Sequence, residues 1–135
     1  SGRITSIKEN EQMLTQFSRT ELLLGKEAME RLAQSRVAVF GVGGVGGYVV
    51  EALVRSGVGA FDLIDDDKVC LTNLNRQIIA TRKTVGKYKA EVMAERIAEI
   101  NPQADVRIHK CFSCLKMQRN FHLMNMITLS MPWIR

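Results

Sequence analysis

The chain has 135 residues, one domain's worth at most, of which 46% are hydrophobic and 24% are charged. No apolar run approaches the roughly 20 residues that span a bilayer, and no secretory signal pattern opens the chain, so we expect a cytoplasmic, globular protein with no membrane partner. The net charge of +5 would suit RNA. However, residues 113–135 hold +3 of it, and the remaining 16 basic and 14 acidic residues nearly balance.

The first elements predicted along the chain are a leader and a helical segment. Residues 1–12 are polar and lack periodicity, which predicts a flexible leader. Ser18 and Glu21 match a capping box, and apolar residues after them support helices that Gly25 interrupts. Arg19 lies at this helix start, where the local pattern favours a solvated charge.

A glycine-rich turn follows the first predicted strand. The apolar run 37–40 is typical of a buried parallel strand, and glycines follow it at 41, 43, 44, 46 and 47. Gly41, Gly43 and Gly46 satisfy G-x-G-x-x-G, and a helix comes next. Phosphates can approach the backbone N–H groups at such a helix start, where the dipole favours negative charge. The alternative is a glycine-rich turn without a ligand, but the strand–turn–helix context favours a nucleotide-phosphate site.

The following elements continue the alternation of strand and helix. In chain order they are a helix at residues 45–56, a strand at 60–64, a helix at about 86–100 and a strand at 105–110. The first of these helices is expected to bury Val49, Ala52 and Leu53 on one face. The order β-α-β-α-β predicts an α/β fold, one half of a Rossmann-like doubly wound parallel sheet preceded by a helical segment.

Polar side chains follow the second strand, at the edge where open parallel sheets bind ligands. Asp65 lies 24 residues past Gly41, near the spacing at which an acid holds the ribose hydroxyls. A solvated turn is the alternative for the acidic run, and it suits Asp66 or Asp67 better than all three residues. Further along, Arg76 and Lys89 are cations that a plain dinucleotide fold does not need; the alternative for them is a surface charge pair.

The pattern collapses from Ser113 onward, where neither strand nor helix periodicity persists. This tail holds four of the seven methionines, the only tryptophan and no acid. The neighbouring codon frame allows an acidic sequence close to FLPENAEEFPFDEYDYIVDAVDT, which ends in an apolar strand followed by D-A-x-D. We therefore interpret residues 13–112 as a nucleotide-binding half domain and residues 113–135 as a frameshifted tail. We assign no zinc site to Cys111 and Cys114, because a second ligand pair is missing.

Four motifs together resemble the ThiF/MoeB/HesA activating-enzyme superfamily: residues 36–47, 65–67, 73–77 and 85–91. The longer runs 63–77 and 90–102 are most similar to the bacterial tRNA threonylcarbamoyladenosine dehydratases, and the likeness covers about residues 14–112. The resemblance implies ATP-dependent adenylation of a carboxylate, here the threonyl group on a tRNA adenosine, followed by ring closure and loss of AMP. Three alternatives stay open: adenylation of the C-terminal glycine of a ubiquitin-like sulfur carrier, a non-catalytic nucleotide-binding fragment, and an NAD-dependent dehydrogenase.

The resemblance also implies roles for individual residues. Phosphates and ribose would be held by Gly41, Gly43, Gly44, Gly46, Asp65, Thr72, Asn73, Arg76, Gln77 and Lys89. Arg76 and Lys89 would act in catalysis, and Arg19 would reach into the site of a second subunit, which implies a homodimer. Sulfur-transfer proteins are further implied partners.

No metal ligand is assigned, because the magnesium-binding aspartate of the superfamily lies in the D-A-x-D segment, which this sequence lacks. Magnesium is therefore expected only with full-length members. We expect the 135-residue chain to bind ATP weakly and to adenylate nothing.

Overall fold

The computed structural model describes residues 14–111 and the backbone of residues 127–130. The elements are α1 (Ser18–Leu24), α2 (Lys26–Gln34), β1 (Arg36–Phe40), α3 (Gly44–Ser56), β2 (Ala60–Ile64), a 3-10 helix (Leu71–Asn75), α4 (Lys89–Ile100), β3 (Asp105–His109) and β4 (Ile127–Ser130). This order confirms the predicted Rossmann-like α/β fold. None of the helices in the described part of the chain is long and apolar enough to cross a membrane.

The sheet has four parallel strands in the order β3-β2-β1-β4. Val37 of β1 is in register with Phe61 of β2, which in turn pairs with Val106 of β3. The sequence predicted three strands and no regular element in the tail, so the strand β4 was not predicted. Its physical reason is that β1 would otherwise leave a row of unpaired N–H and C=O groups at the sheet edge.

Two predicted segments lie mostly outside the described residues. These are the leader at 1–12 and the tail at 113–135, of which only residues 127–130 are described. The interpretation of the tail as a frameshifted translation therefore stays a prediction.

The first helix begins differently from the prediction. Phe17 is the N-cap and no side chain caps the helix, so the expected capping box at Ser18 is wrong. Instead, the Ser18 hydroxyl accepts a hydrogen bond from the Thr15 N–H at 2.8 Å, and the Thr15 hydroxyl accepts one from the Phe17 N–H at 3.2 Å. A turn before the helix thus takes over the capping role. The predicted break at Gly25 is confirmed by its φ of +86°.

The buried face of α3 also differs from the prediction. Gly46, Gly47, Val50 and Val54 are buried and Leu53 packs against the core as predicted, whereas Ala52 is exposed. The reason is a close approach at Gly46, where a Cβ would lie only 1.8 Å from the carbonyl oxygen of Gly41. Because this glycine must face the strand, the helix is rotated so that residues four apart from it point into the core.

The core lies on one face of the sheet, where α3 and α4 cover it. Val37 and Val39 of β1 and Phe61 and Leu63 of β2 point into this core. On α4, Ala90, Met93 and Ile97 are buried, and Ala94 and Ile100 pack against the core. Since all strands are parallel, their carboxyl ends meet at one edge, and the polar loops of the chain gather there.

Candidate nucleotide site

The glycine-rich turn brings the start of α3 directly against the end of β1. Gly41 has a φ of +85°, which favours glycine, and its N–H donates to the Ile64 carbonyl at 2.8 Å. Gly43 is the N-cap of α3, and no side chain caps this helix. The first N–H groups of α3 therefore have no intrahelical acceptor and no side-chain cap, which is the arrangement that binds an anion.

A cavity of about 680 Å³ opens in front of this turn, at the carboxyl ends of β1 and β2. Its size lies within the range of small-molecule and cofactor sites. It is lined by Phe40, Gly41, Gly43, Gly44, Gly46, Asp65, Asp66, Asp67, Lys68, Cys70, Asn73, Arg76, Gln77 and Lys89. Nearly all residues that the sequence assigned to the nucleotide are thus brought together.

Asp65 is buried and braces the glycine turn. One carboxylate oxygen accepts the Val42 N–H at 3.0 Å, and the other accepts the Asp67 N–H at 2.8 Å. The bond with Val42 ties the end of β2 to the turn that follows β1, and the bond with Asp67 fixes the turn after β2. The sequence indicated only a ribose contact for this residue, and it missed the structural use because a bond across two strands leaves no local pattern.

Lys89 places a buried cation beside the glycine turn. It begins α4, is only 8% exposed, and its backbone N–H donates to the Asp67 carbonyl at 3.0 Å. Its Nζ has one ion-pair partner in the described part of the chain, Asp67 Oδ2 at 3.8 Å, and that carboxylate is 70% exposed. Burying a charge against so distant and solvated a partner is unfavourable, so the site favours a second anion.

Gln77 contributes a buried carboxamide to the same cavity. The residue is 7% exposed, and its Oε1 is the one buried side-chain N or O atom in the described residues that has no hydrogen-bond partner. Leaving such an atom unpaired costs about 1–3 kcal/mol. A bound ligand with an O–H or N–H donor, such as a ribose hydroxyl or a base amino group, would remove this cost, so the orphaned oxygen supports the interpretation of the cavity as a binding site.

The 3-10 helix supplies two more polar groups. Asn73 Oδ1 accepts the Cys70 N–H at 2.9 Å, which fixes the side chain and leaves its amide N–H groups as donors. Arg76 is exposed at the cavity wall, where its guanidinium donates to Asn75 Oδ1 at 2.9 Å. Both residues therefore present donors to the cavity. The cavity-lining residues Lys68 and Cys70 lie within the run 63–77 that carries the resemblance, but the sequence assigned no site role to them.

Two predicted site residues do not line the cavity. Thr72 is exposed, and its carbonyl accepts a 3.4 Å hydrogen bond from Arg76. Arg19 is exposed on α1 and also lies outside the cavity lining. These two side chains therefore do not form part of the wall around a nucleotide bound in the cavity of the same chain.

The acidic run gathers three carboxylates. Oxygens of Asp65, Asp66 and Asp67 lie within 4.8 Å of one another. Asp65 already accepts two backbone N–H groups, and Asp67 is paired with Lys89. The backbone hydrogen bonds of the turn and the ion pair with Lys89 therefore explain why these carboxylates lie close together, without a metal ion.

A second cavity of about 450 Å³ lies away from the glycine turn, between the residues before α1 and the carboxyl ends of α3 and α4. Its two cations, Arg55 and Arg96, are both bound to Glu51, at 2.8 Å and 2.5 Å. Because these charges are already compensated, this cavity is a weaker candidate for an anionic ligand.

The sequence profile of the ThiF family matches residues 17–127, which is most of the chain. The chain belongs to the ThiF family. Within it, the chain is 55% identical over 100 residues to the tRNA threonylcarbamoyladenosine dehydratase of Bacillus subtilis, covering 74% of this chain and 39% of that relative. A sulfur carrier protein adenylyltransferase of Thermus thermophilus is 38% identical over 86 residues, covering 64% of this chain and 32% of that relative.

A solved ThiF-family structure has the same fold. The crystal structure of E. coli tRNA N6-threonylcarbamoyladenosine dehydratase in complex with ATP superposes with a TM-score of 0.76 and 45% sequence identity. It matches 81% of this chain, which spans 45% of that chain. The chain thus spans less than half the length of the ThiF-family proteins that it resembles.

Proposed function

We propose that the chain carries the ATP-binding half of a tRNA threonylcarbamoyladenosine dehydratase. The observation that carries this proposal is the cavity in which the buried Lys89 ammonium and the Gln77 side-chain amide group face the uncapped start of α3. A cation, a helix N-terminus and amide donors around one space are the groups that bind a triphosphate. The 55% identity to a dehydratase supports the substrate class.

Different residues of the cavity contact different parts of ATP. The N–H groups of Gly43, Gly44 and Gly46 hold phosphate oxygens, and Asp65 uses its remaining lone pairs for the ribose hydroxyls. Asn73 and Gln77 complete the polar wall on the side of the 3-10 helix, and the exposed Thr72 lies next to Asn73 in the chain but outside the cavity lining.

Catalysis rests on Arg76 and Lys89. A carboxylate oxygen attacks the α-phosphorus of ATP, and the bond to the pyrophosphate oxygen breaks. Negative charge builds on the α-phosphate oxygens during this step, and fixed cations stabilise it. Lys89 is positioned by the start of α4 and by its burial, so it loses little freedom on binding, whereas the exposed Arg76 must leave Asn75 to reach the phosphate.

The carboxylate is that of the threonyl group on a modified tRNA adenosine. The neighbouring carbamoyl nitrogen or oxygen then closes a ring onto the activated carbonyl carbon, and AMP leaves. Adenylation of a ubiquitin-like sulfur carrier is the second candidate, which the 38% identity to an adenylyltransferase favours less than the 55% identity favours the dehydratase. Transfer RNA and ATP are both abundant in the cytoplasm, which supports a cytoplasmic location for this chemistry.

The proposal also includes two features that the described residues of one chain do not supply. Arg19 acts from a second copy of the chain in a homodimer, which is consistent with its exposed position on α1. Magnesium accompanies ATP in the full-length protein, where the D-A-x-D segment supplies a ligand. Among the described residues we assign it none, because the best-placed carboxylates are engaged by backbone N–H groups and by Lys89.

Calorimetric titration of the chain with ATP and with NAD tests the nucleotide assignment. We expect ATP to bind more tightly than NAD, and Lys89→Ala to weaken ATP binding about 10- to 100-fold through loss of a charge-assisted hydrogen bond. The melting temperature of this variant should not fall, because it removes a poorly compensated buried charge. Lys26→Ala, at an exposed position of α2 outside the cavity, is the control. Tighter binding of NAD than of ATP would refute the assignment.

Pyrophosphate exchange and AMP release test the chemistry. The 135-residue chain should support neither reaction, since the acidic metal ligand is absent from its sequence. In a chain extended through the alternative reading frame, AMP release should depend on threonylcarbamoylated tRNA. Release that depends on a carrier protein instead would favour the second candidate.

A further inference from the structure

Basic residues are concentrated in one part of the chain. Between Lys68 and Ala90 there are six basic residues and no acidic residue: Lys68, Arg76, Arg82, Lys83, Lys87 and Lys89. Arg76 and Lys89 line the nucleotide cavity. The remaining four, together with Lys110, form a surface that we call the cationic rim.

Backbone hydrogen bonds hold the rim together beside the cavity. The Val69 N–H donates to the Lys87 carbonyl at 2.8 Å, and the Gly86 N–H donates to the Val69 carbonyl at 2.9 Å. The turn of residues 81–87, which carries Arg82, Lys83 and Lys87, is thereby fastened to the strand-like segment after Lys68. Since Lys68 itself lines the cavity, the rim continues from the cavity mouth outward.

Tyr88 anchors two further charges of the rim. The Nζ of Lys68 lies 5.0 Å from the ring centroid, and that of Lys110 lies 4.3 Å from it. Lys110 also pairs with Glu91 at 2.5 Å, and this hydrogen bond raises the pKa of Lys110. The Tyr88 ring therefore contacts two ammonium groups of the rim.

Most charges of the rim lack a counter-ion. Within residues 14–111, seven of the lysines and arginines have no carboxylate within 4.0 Å, and five of the seven lie between positions 68 and 87. Elsewhere in this part of the chain, cations such as Arg31, Arg55 and Arg107 are paired with a neighbouring acid. Uncompensated positive charge that adjoins a substrate cavity attracts a polyanion.

We propose that the cationic rim binds the phosphate backbone of the RNA whose modified nucleotide enters the cavity. This inference rests on the proposed function and adds the surface by which the RNA docks. Helical RNA fits better than an unpaired strand, because single-strand binding relies on bases stacked on aromatic rings. The one aromatic ring of the rim, Tyr88, is occupied by two ammonium groups.

The test measures binding of unfractionated tRNA to the 135-residue chain by fluorescence anisotropy over a range of salt concentrations. The rim variant carries Arg82→Ser, Lys83→Ser and Lys87→Ser. The control variant carries Lys26→Ser, Arg31→Ser and Arg107→Ser, which removes the same charge from exposed positions outside the rim. We expect the rim variant to bind tRNA at least about tenfold more weakly in low salt, with a log–log salt slope reduced by about 2–3, since each lost phosphate contact removes about 0.7–0.9. The control should bind within about twofold of the parent.

Two further measurements keep this test separate from the proposed function. ATP affinity should be the same in all three proteins, so a loss of tRNA binding with ATP binding intact supports the rim, whereas failure to bind ATP contradicts only the proposed function. Acetylation of lysines, read by mass spectrometry, should show tRNA protecting Lys68, Lys83, Lys87 and Lys110 but not Lys26. Equal tRNA binding by the two variants, no protection of the rim lysines, or protection by anionic vesicles but not by tRNA would overturn the proposal.

Discussion

The Lys89 ammonium and the Gln77 carboxamide converge on Gly43. A Cβ on this glycine would lie 3.4 Å from Lys89 Nζ and 3.1 Å from Gln77 Nε2. The space in front of the glycine turn is therefore shared between these two side chains and whatever binds there.

Gly43→Ala tests this shared space. The new methyl group must displace the ends of two side chains, which are able to move, so we expect the fold to be kept and the melting temperature to change by only a few degrees. ATP affinity should fall about tenfold, because the displaced groups leave the phosphate-binding geometry. Calorimetric titration and thermal unfolding measure the two effects. A variant that binds ATP as the parent does would show that neither group contacts the nucleotide.

Gly46→Ala should destabilise the fold itself. The Cβ would lie 1.8 Å from the Gly41 carbonyl oxygen, a rigid backbone atom, so the start of α3 must move away from β1. We expect a loss of about 2–4 kcal/mol in the free energy of unfolding, measured by urea denaturation. Gly59→Ala is the matched control, since its Cβ would lie 1.9 Å from the Ala33 carbonyl oxygen, away from the cavity. A parent-like unfolding curve for Gly46→Ala would contradict the close packing of helix and turn.

Asp65→Asn should loosen the glycine turn. The carboxylate accepts N–H groups from both Val42 and Asp67, and an amide offers only one acceptor oxygen, so one donor is left facing an NH₂ group. We expect about 1–3 kcal/mol of lost stability together with weaker ATP binding. Asp66→Asn, at an exposed neighbour, should change stability by less than about 0.5 kcal/mol. Equal stabilities of the two variants would argue against the bracing role.

Acid should weaken the link between α3 and α4. Hydrogen bonds from Arg96, and secondarily from Arg55, hold the pKa of Glu51 below its ordinary value of 4.5, against the opposing effect of burial. Because the folded-state pKa is the lower one, the unfolded state binds more protons as the pH falls below about 5, and the stabilisation is lost through that range. Glu51→Gln should therefore lower the urea midpoint at pH 7, and it should lower the midpoint by less at pH 3. A difference between parent and variant that is as large at pH 3 as at pH 7 would contradict this linkage.

The sequence by itself determined the alternation of strands and helices as far as β3, and it indicated where a nucleotide site would lie. Alternating apolar runs, the break at Gly25 and the glycines after Phe40 are local signals, because they depend on the preferences of neighbouring residues. The same glycines, with Asp65 and Lys89, also indicated that a nucleotide site lies at the sheet edge. These features follow from short stretches of chain and needed no knowledge of packing.

Only the tertiary structure decided how these pieces face one another. The rotation of α3, which exposes Ala52 and buries Val50, follows from the contact between Gly46 and the Gly41 carbonyl. The pairing of β4 with β1 and the bonds of Asp65 to the glycine turn join residues that are distant in the chain. Burial of Lys89 and the unpaired oxygen of Gln77 likewise arise from neighbours that only folding brings together, and such contacts leave no periodic trace in a single sequence.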